Sequence, residues 1–177
     1  MSVPKGERNK SKREFDDLFF TVYRDAIDTI SHQFYASETK RVTYKFLIDD
    51  KSREILFICD AILRNIRVAN SIYPQALSEY YDRRNQQNHA IGLCYALLTN
   101  YQIVANVIEL PERRLITNIE NATHLINAIR AWRKSDNHFK NELKAKAKDD
   151  AKKSDSAEAQ KVEKASSEKG KDTTDKK

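Results

Sequence analysis

Apolar residues recur every three or four positions along most of the chain, which is the spacing of amphipathic helices. Four such stretches follow one another, and they are predicted to span residues 11–37, 41–72, 78–111 and 112–134. Only three glycines and three prolines occur in 177 residues. So few turn-forming residues suit long helices and would not supply the turns of a β-protein. Since short connections make neighbouring helices antiparallel, the pattern predicts an all-α, up-down-up-down four-helix bundle.

Each predicted helix has a main apolar stripe that is expected to face the core. In the second helix this stripe consists of Ile48, Ile55, Cys59, Ile62, Ile66 and Ala69. In the third helix it consists of Ile91, Cys94, Tyr95, Leu98, Tyr101, Ala105 and Ile108.

The second and third helices also carry apolar residues away from the main stripe. These second lines are Phe57, Ala61 and Val68 on the second helix, and Leu93, Leu97 and Val104 on the third. A monomeric bundle needs one apolar stripe per helix, so the extra lines predict an interface between copies of the chain or with a partner. The alternative is that a small bundle simply covers its central helices more fully.

Three polar residues early in the third helix lie on the same side of that helix as its apolar residues. They are Tyr80, Arg84 and Gln87. Buried polar groups need hydrogen-bond partners. We therefore expect either a buried network with other helices or a bundle end that is open to water or to another subunit, and the structural role is favoured over ligand contact.

Composition divides the chain into a folded part and a polar tail. Residues 1–10 are predicted to be a flexible basic N-terminus, residues 11–140 the bundle, and residues 141–177 a disordered lysine-rich tail. The tail carries 11 lysines and 9 acidic residues, but its sizeable apolar residues are only Leu143 and Val162. It cannot bury enough surface to offset the entropy of ordering.

Motif searches exclude several enzyme classes and predict neither cofactor nor metal. The chain has too few glycines for a phosphate-binding loop, and it lacks an HExxH or a Cys-x-x-Cys motif. Cys59 and Cys94 each stand inside an apolar run, which indicates buried thiols. Because no run approaches the ~18 apolar residues of a membrane span, we expect a soluble, cytoplasmic protein.

One short motif permits an enzyme hypothesis. Arg84 and His89 match the R-x4-H pattern of HEPN-type ribonucleases, which are also small all-α domains. Positions five apart on a continuous helix diverge by about 140°, which would turn His89 away from Arg84. The sequence is therefore interpreted as non-catalytic, with the ribonuclease as the less favoured alternative.

Several ordered stretches resemble the accessory variability determinant (Avd) proteins of diversity-generating retroelements. They are Met1–Lys5, Ala69–Pro74, Tyr81–Gln87 followed by Ala90, Ile91 and Cys94, and the Trp-Arg-Lys-Ser-Asp-Asn run Trp132–Asn137. The resemblance covers nearly the whole predicted bundle. It implies a homo-oligomeric, typically pentameric, assembly with a positively charged surface. It also implies binding to the retroelement's reverse transcriptase and its template-repeat RNA, in support of mutagenic cDNA synthesis during retrohoming.

Clustered basic residues are the candidates for nucleic-acid or polymerase contact under this resemblance. We predict Arg64 and Arg67 of the second helix together with Arg130, Arg133 and Lys134 of the fourth. The first pair projects away from the main stripe. The other three crowd the end of the fourth helix, where cations also favour the helix dipole. The formal charge of +6 permits attraction to phosphates, but a solvated surface explains it equally well.

Two other assignments remain open at this point. One is a four-helix bundle that serves as an adaptor for another protein or RNA partner. The other is the group of similar bundles that are encoded in ribosomal RNA intervening sequences.

Overall fold

The computed structural model describes residues 5–111, 113 and 115–149, with side chains from residue 15 onward. Within these ranges the chain forms helices and contains no strand, so the predicted all-α class is confirmed. The α-helices are α1 (Lys5–Asp28), α2 (Glu38–Thr43), α3 (Lys45–Ser71), α4 (Leu77–Val107) and α5 (Ile116–Ser135). A π-helical stretch, Thr29–Phe34, continues α1. Residues 137–149 form a further helical segment after a turn at Asp136.

The predicted terminal regions fall partly outside the described ranges. Residues 1–4 and 150–177 lie outside them, and so does Glu112, the predicted start of the fourth helix. Helix α1 begins at Lys5, whereas the sequence pattern predicted that it begins at residue 11. Residues 141–149, which we expected to be disordered, continue the helical segment of residues 137–149.

The four long helices surround one core, in which each contacts two others. Helix α3 packs most extensively against α4, α4 also packs against α5, and α1 contacts both α5 and α3. Helices α3 and α5 therefore occupy opposite corners. The main stripe predicted for α3 is buried throughout, from Ile48 to Ala69. The stripe predicted for α4 is correct at Cys94 and Tyr101 but wrong at Tyr95, which is 45% exposed.

The π-helical stretch has a local cause that hydrophobic periodicity does not reveal. Asn118 of α5 donates through Nδ2 to the backbone carbonyl of Asp25, at 3.1 Å, and to Oγ1 of Thr29. In an α-helix that carbonyl would accept from the amide of Thr29. A side chain inserted at this point disturbs the hydrogen-bond ladder where the π-helix begins.

The predicted second helix is divided into α2 and α3 at Tyr44. Helix α2 begins where Ser37 Oγ accepts from the amide of Lys40 at 3.4 Å. Lys40 Nζ then donates to the carbonyl of Ile108 at 2.6 Å and pairs with Glu109 at 2.9 Å. Glu109 has a φ of 51°, the left-handed conformation that ends many helices. Lys40 thus fixes α2 to the C-terminal end of α4.

Helix α4 is the described helix that is long and apolar enough to cross a membrane by composition alone. It packs between α3 and α5. Its first turns also bury the polar side chains of Arg83 and Gln87. The sequence was not expected to contain a stretch of this length and apolarity, but the buried side chains are typical of a helix that packs in a core.

Candidate functional site

A buried ion pair joins α4 to the turn that follows α5. Arg83 is 8% exposed and Asp136 is 4% exposed. Arg83 Nε donates to Asp136 Oδ2 at 2.7 Å, and Nη2 donates to Oδ1 at 3.1 Å. Such two-point contact between a guanidinium and a carboxylate is strong and directional. The pair therefore holds the end of α5 in one orientation on α4.

The same guanidinium also closes the end of α3. Arg83 Nη1 donates to the carbonyl of Ala69 at 3.1 Å and to the carbonyl of Ile72 at 2.7 Å. Carbonyls in the last turn of a helix lack partners within the helix. Its carbon Cζ lies 5.0 Å from the centre of the Trp132 ring. One side chain thus links α3, α4 and α5.

Polar neighbours extend this pair into a cluster. Gln87 is fully buried and donates through Nε2 to Asp136 Oδ2 at 2.6 Å. Tyr80 donates its hydroxyl to Asn137 Oδ1 at 3.2 Å, and Arg84 donates to the Tyr80 hydroxyl at 2.9 Å. Gln87 thus bonds Asp136, while Tyr80 and Arg84 form a second group on Asn137, so all three polar residues have partners directly after α5. The centre of the cluster, however, is the Arg83–Asp136 pair, which the helical periodicity did not indicate.

The polar cluster brings together three of the stretches on which the family resemblance rests. Arg83 and Gln87 belong to Tyr81–Gln87, and Asp136 belongs to Trp132–Asn137. The two carbonyls that Arg83 contacts belong to Ala69–Pro74. Stretches separated along the chain thus meet at one end of the helical bundle.

The two residues of the R-x4-H motif have different surroundings. Arg84 takes part in the polar cluster through Tyr80 and Asn137. His89 is exposed one turn further along the uninterrupted helix α4. This arrangement supports the structural role that the sequence favoured for Arg84.

The predicted basic residues divide between two surfaces. Arg130 Nη2 donates to the Tyr95 hydroxyl at 2.7 Å, and Arg133 Nη1 donates to Asn88 Oδ1 at 2.6 Å. Both arginines therefore lie along the seam between α5 and α4. Lys134 follows them in the last turn of α5 and is exposed.

Arg64 and Arg67 are exposed on α3, which occupies the corner of the bundle opposite α5. The five basic residues that we predicted as one contact set are thus not gathered into one site. The reason is topological, because the second and fourth long helices of the ring are not neighbours.

Acidic residues are distributed unevenly among the long helices. Helix α1 carries six and α3 carries four, whereas α4 carries none from Arg83 to Val107. Helix α5 carries one, Glu120, near its start. We define the α4–α5 face as the surface formed by Asn88, Gly92, Tyr95, Arg130 and Arg133. It combines cations and polar groups without acidic residues of its own.

The predicted apolar interface is only partly available on the surface. Phe57 is 64% exposed and Val68 is 40% exposed on α3. Leu97 and Val104 are fully buried, and Ala61 is 9% exposed. Leu93 is partly buried against the core. Leu97 and Val104 therefore belong to the core of the single chain and are not available for the predicted interface, whereas Leu93 keeps part of its surface exposed.

Both cysteines are buried, as predicted, and burial raises the pKa of each thiol to about 12. No cluster of three or more metal-ligating side chains occurs within the described ranges.

We predict that neither thiol of the folded protein reacts with iodoacetamide at pH 8. The thiolate is the reactive form, and burial suppresses both ionisation and access. The pKa of each thiol is higher in the folded protein than its ordinary value of 9.0. The stabilisation of the folded state by the two protonated thiols is therefore complete below pH 9 and is lost as the pH rises toward about 12. Mass spectrometry before and after addition of urea measures the modification. Rapid labelling of the native protein would contradict the prediction.

Searches against protein-family models, curated proteins and solved structures find no match to this chain.

Proposed function

We propose that this chain is a non-catalytic accessory protein of a diversity-generating retroelement. In this role it binds the reverse transcriptase and its template-repeat RNA in the cytoplasm and supports mutagenic cDNA synthesis. The observation that carries the proposal is the meeting of Ala69–Pro74, Tyr81–Gln87 and Trp132–Asn137 in one buried polar cluster. The stretches that resemble the Avd-like family are thus in contact with one another in the structure, although they are separated along the sequence. The ring of long helices and their short connections also fit the four-helix bundle of this family and the up-down-up-down order that the sequence pattern predicts.

The α4–α5 face supports the RNA part of the proposal. Arg130 and Arg133 are held at defined positions by Tyr95 and Asn88, so their guanidinium groups do not have to be ordered on binding. Phosphate contacts of this kind provide most of the affinity of sequence-independent binding.

Phe57 and Val68 support self-association into a homo-oligomer, which the family resemblance implies is a pentamer. Both side chains project from α3 with much of their surface exposed. Contact with another copy would remove this apolar surface from water. The surface now proposed for self-association is on α3, because Leu97 and Val104 of α4 are buried in the core.

An adaptor role for a different protein is the second candidate. Val42 is 70% exposed and Phe46 is 84% exposed at the junction of α2 and α3. Large apolar side chains that are exposed within a short segment favour an interaction surface there. This junction favours a protein partner of some kind without identifying it as a polymerase.

Co-expression with a candidate reverse transcriptase of a diversity-generating retroelement tests the proposed function. We expect the two proteins and the template-repeat RNA to purify together, and we expect the chain alone to have a mass that is a multiple of 20.6 kDa. Multi-angle light scattering measures the mass. A monomer that retains neither partner would refute the accessory role, whereas capture of an unrelated protein alone would favour the adaptor.

The double charge reversal Arg130→Glu and Arg133→Glu is expected to weaken RNA binding by about thirtyfold at low salt, since two phosphate contacts become repulsive. Fluorescence anisotropy across a salt series measures the affinity. The matched control reverses Arg24 and Arg41, which are exposed on α1 and α2, and is expected to have a much smaller effect.

The double variant Arg64→Glu and Arg67→Glu tests the other predicted set. If RNA affinity falls only in this variant, the RNA binds on α3, and the assignment to the α4–α5 face is contradicted. Far-ultraviolet circular dichroism checks that the helix content of every variant is unchanged.

A further inference from the structure

Tyr95 presents an aromatic ring at the centre of the α4–α5 face. The side chain is 45% exposed. The guanidinium of Arg130 donates to its hydroxyl at 2.7 Å and lies 5.8 Å from the ring centre. The cation therefore lies toward the hydroxyl end of the ring rather than flat against one face. It fixes the direction of the ring and leaves ring surface exposed.

Gly92 lies one turn before Tyr95, in the middle of α4. Glycine in a helix interior costs stability relative to alanine, so its presence there calls for a reason. Close packing inside the chain does not supply one, because a Cβ atom added at Gly92 would meet nothing within 4 Å. The position is also exposed. Gly92 thus leaves bare backbone and open space on the face of α4 that also carries Tyr95.

Gly92 precedes Tyr95 by three positions, so the two residues lie on one face of α4, and the space over Gly92 is open within the chain. A flat group that enters this space could approach the ring without meeting a side chain at position 92.

The charges around this space select the class of ligand. Arg130 and Arg133 lie on the α5 side, and α4 contributes no acidic residue from Arg83 to Val107. An anion is therefore favoured. A ligand that is both polyanionic and rich in accessible flat rings is an unpaired nucleic-acid strand, since a duplex hides the faces of its bases.

We propose that the α4–α5 face binds single-stranded nucleic acid, with one base stacked on Tyr95 above Gly92 and adjacent phosphates bound by Arg130 and Arg133. This deepens and rests on the proposed function, because it identifies unpaired nucleotides, rather than an RNA helix, as the part of the template that this face holds.

Binding of a fluorescein-labelled oligoadenylate to the full chain, measured by anisotropy, tests the proposal. We expect Tyr95→Ala to weaken binding by about tenfold, the loss typical of removing one stacked base. Tyr95→Phe keeps the ring but releases Arg130 from the hydroxyl, so it is expected to lose much less affinity than Tyr95→Ala. The control Tyr44→Ala removes another exposed tyrosine, at the junction of α2 and α3, and is expected to bind normally.

Gly92→Ala separates a ligand-binding role from a structural one. Alanine is the better helix former and has room within the chain, so the variant is expected to unfold at higher urea concentration than the unmodified protein. Its methyl group occupies the space proposed for the base, so the same variant is expected to bind oligoadenylate several-fold more weakly. Higher stability together with unchanged affinity would overturn the placement of the base.

Other ligands and outcomes are distinguished with the same variants. An oligoadenylate–oligouridylate duplex is expected to show no dependence on Tyr95. A DNA strand that binds as the RNA does supports the proposal, since stacking and phosphate contact do not require the 2′-hydroxyl. Equal dependence on Tyr95 with polyglutamate as the probe would indicate an acidic protein partner and overturn the proposal. A change of oligomer mass in Tyr95→Ala or Gly92→Ala would instead indicate contact between copies and also overturn it.

Co-purification with the reverse transcriptase is measured for the same variants. Retained polymerase binding with unchanged RNA affinity in Tyr95→Ala would refute the stacking proposal and leave the accessory role standing. Tyr95-dependent RNA binding by a chain that does not bind the polymerase would support stacking and refute the accessory role.

Discussion

Replacing Asp136 with alanine is expected to lower the free energy of unfolding by about 4 kcal/mol, because it leaves the buried Arg83 charge without its carboxylate. Asp136 accepts from Arg83 at two points and from Gln87 at a third. Removal of the carboxylate therefore leaves several buried donors unsatisfied. Urea unfolding followed by far-ultraviolet circular dichroism measures the loss.

Two further variants show whether pairing accounts for that loss. Asp60→Ala removes an exposed carboxylate of α3 and is expected to change stability little. The double variant Arg83→Met and Asp136→Ala is expected to be less destabilised than the sum of the two single variants, since it removes both charges together. Strictly additive losses would contradict the assignment of Arg83–Asp136 as the centre of the polar cluster.

Replacing Leu97 with alanine is expected to cost about 3 kcal/mol, the usual penalty for a cavity at a buried leucine. Leu97 is fully buried within one chain. The loss is therefore expected to be the same at every protein concentration. Urea unfolding at several concentrations measures it.

The matched variant is Phe57→Ala, at an apolar residue of α3 that is 64% exposed. Its effect within one chain is expected to be small. If copies of the chain associate through α3, it changes oligomer mass and makes stability depend on concentration. A concentration-dependent loss in Leu97→Ala would contradict the assignment of Leu97 to the core.

These two residues illustrate how far periodicity determines burial. The helical pattern placed both Phe57 and Leu97 on second apolar lines, outside the main stripes. The structure buries Leu97 and exposes Phe57, because Leu97 lies on a side of α4 that its neighbours cover, whereas Phe57 lies on a side of α3 that no described helix covers. A sequence pattern gives the angular position of a residue on its helix. It does not give the directions from which the neighbouring helices pack.

The polar cluster shows a similar limit. Tyr80 and Gln87 were identified as candidates for a buried network because they interrupt the apolar side of their helix. Arg83 and Asp136 gave no such signal, since Asp136 lies in a turn beyond α5 and Arg83 contacts three elements at once. Tyr95 was assigned to the core stripe because an aromatic ring continues an apolar pattern. The same pattern arises whether or not another helix covers the ring, and in the structure Tyr95 is exposed.

The sequence by itself determined the all-α class, the four long apolar stretches and the burial of both cysteines, because these depend on local periodicity and composition. Tertiary structure alone decided that Arg64 and Arg67 lie apart from Arg130 and Arg133, and that Gly92 borders an exposed ring. It also decided that three distant stretches meet at Arg83. Such relations depend on which helices become neighbours, and that choice follows from packing of the whole chain rather than from any one segment.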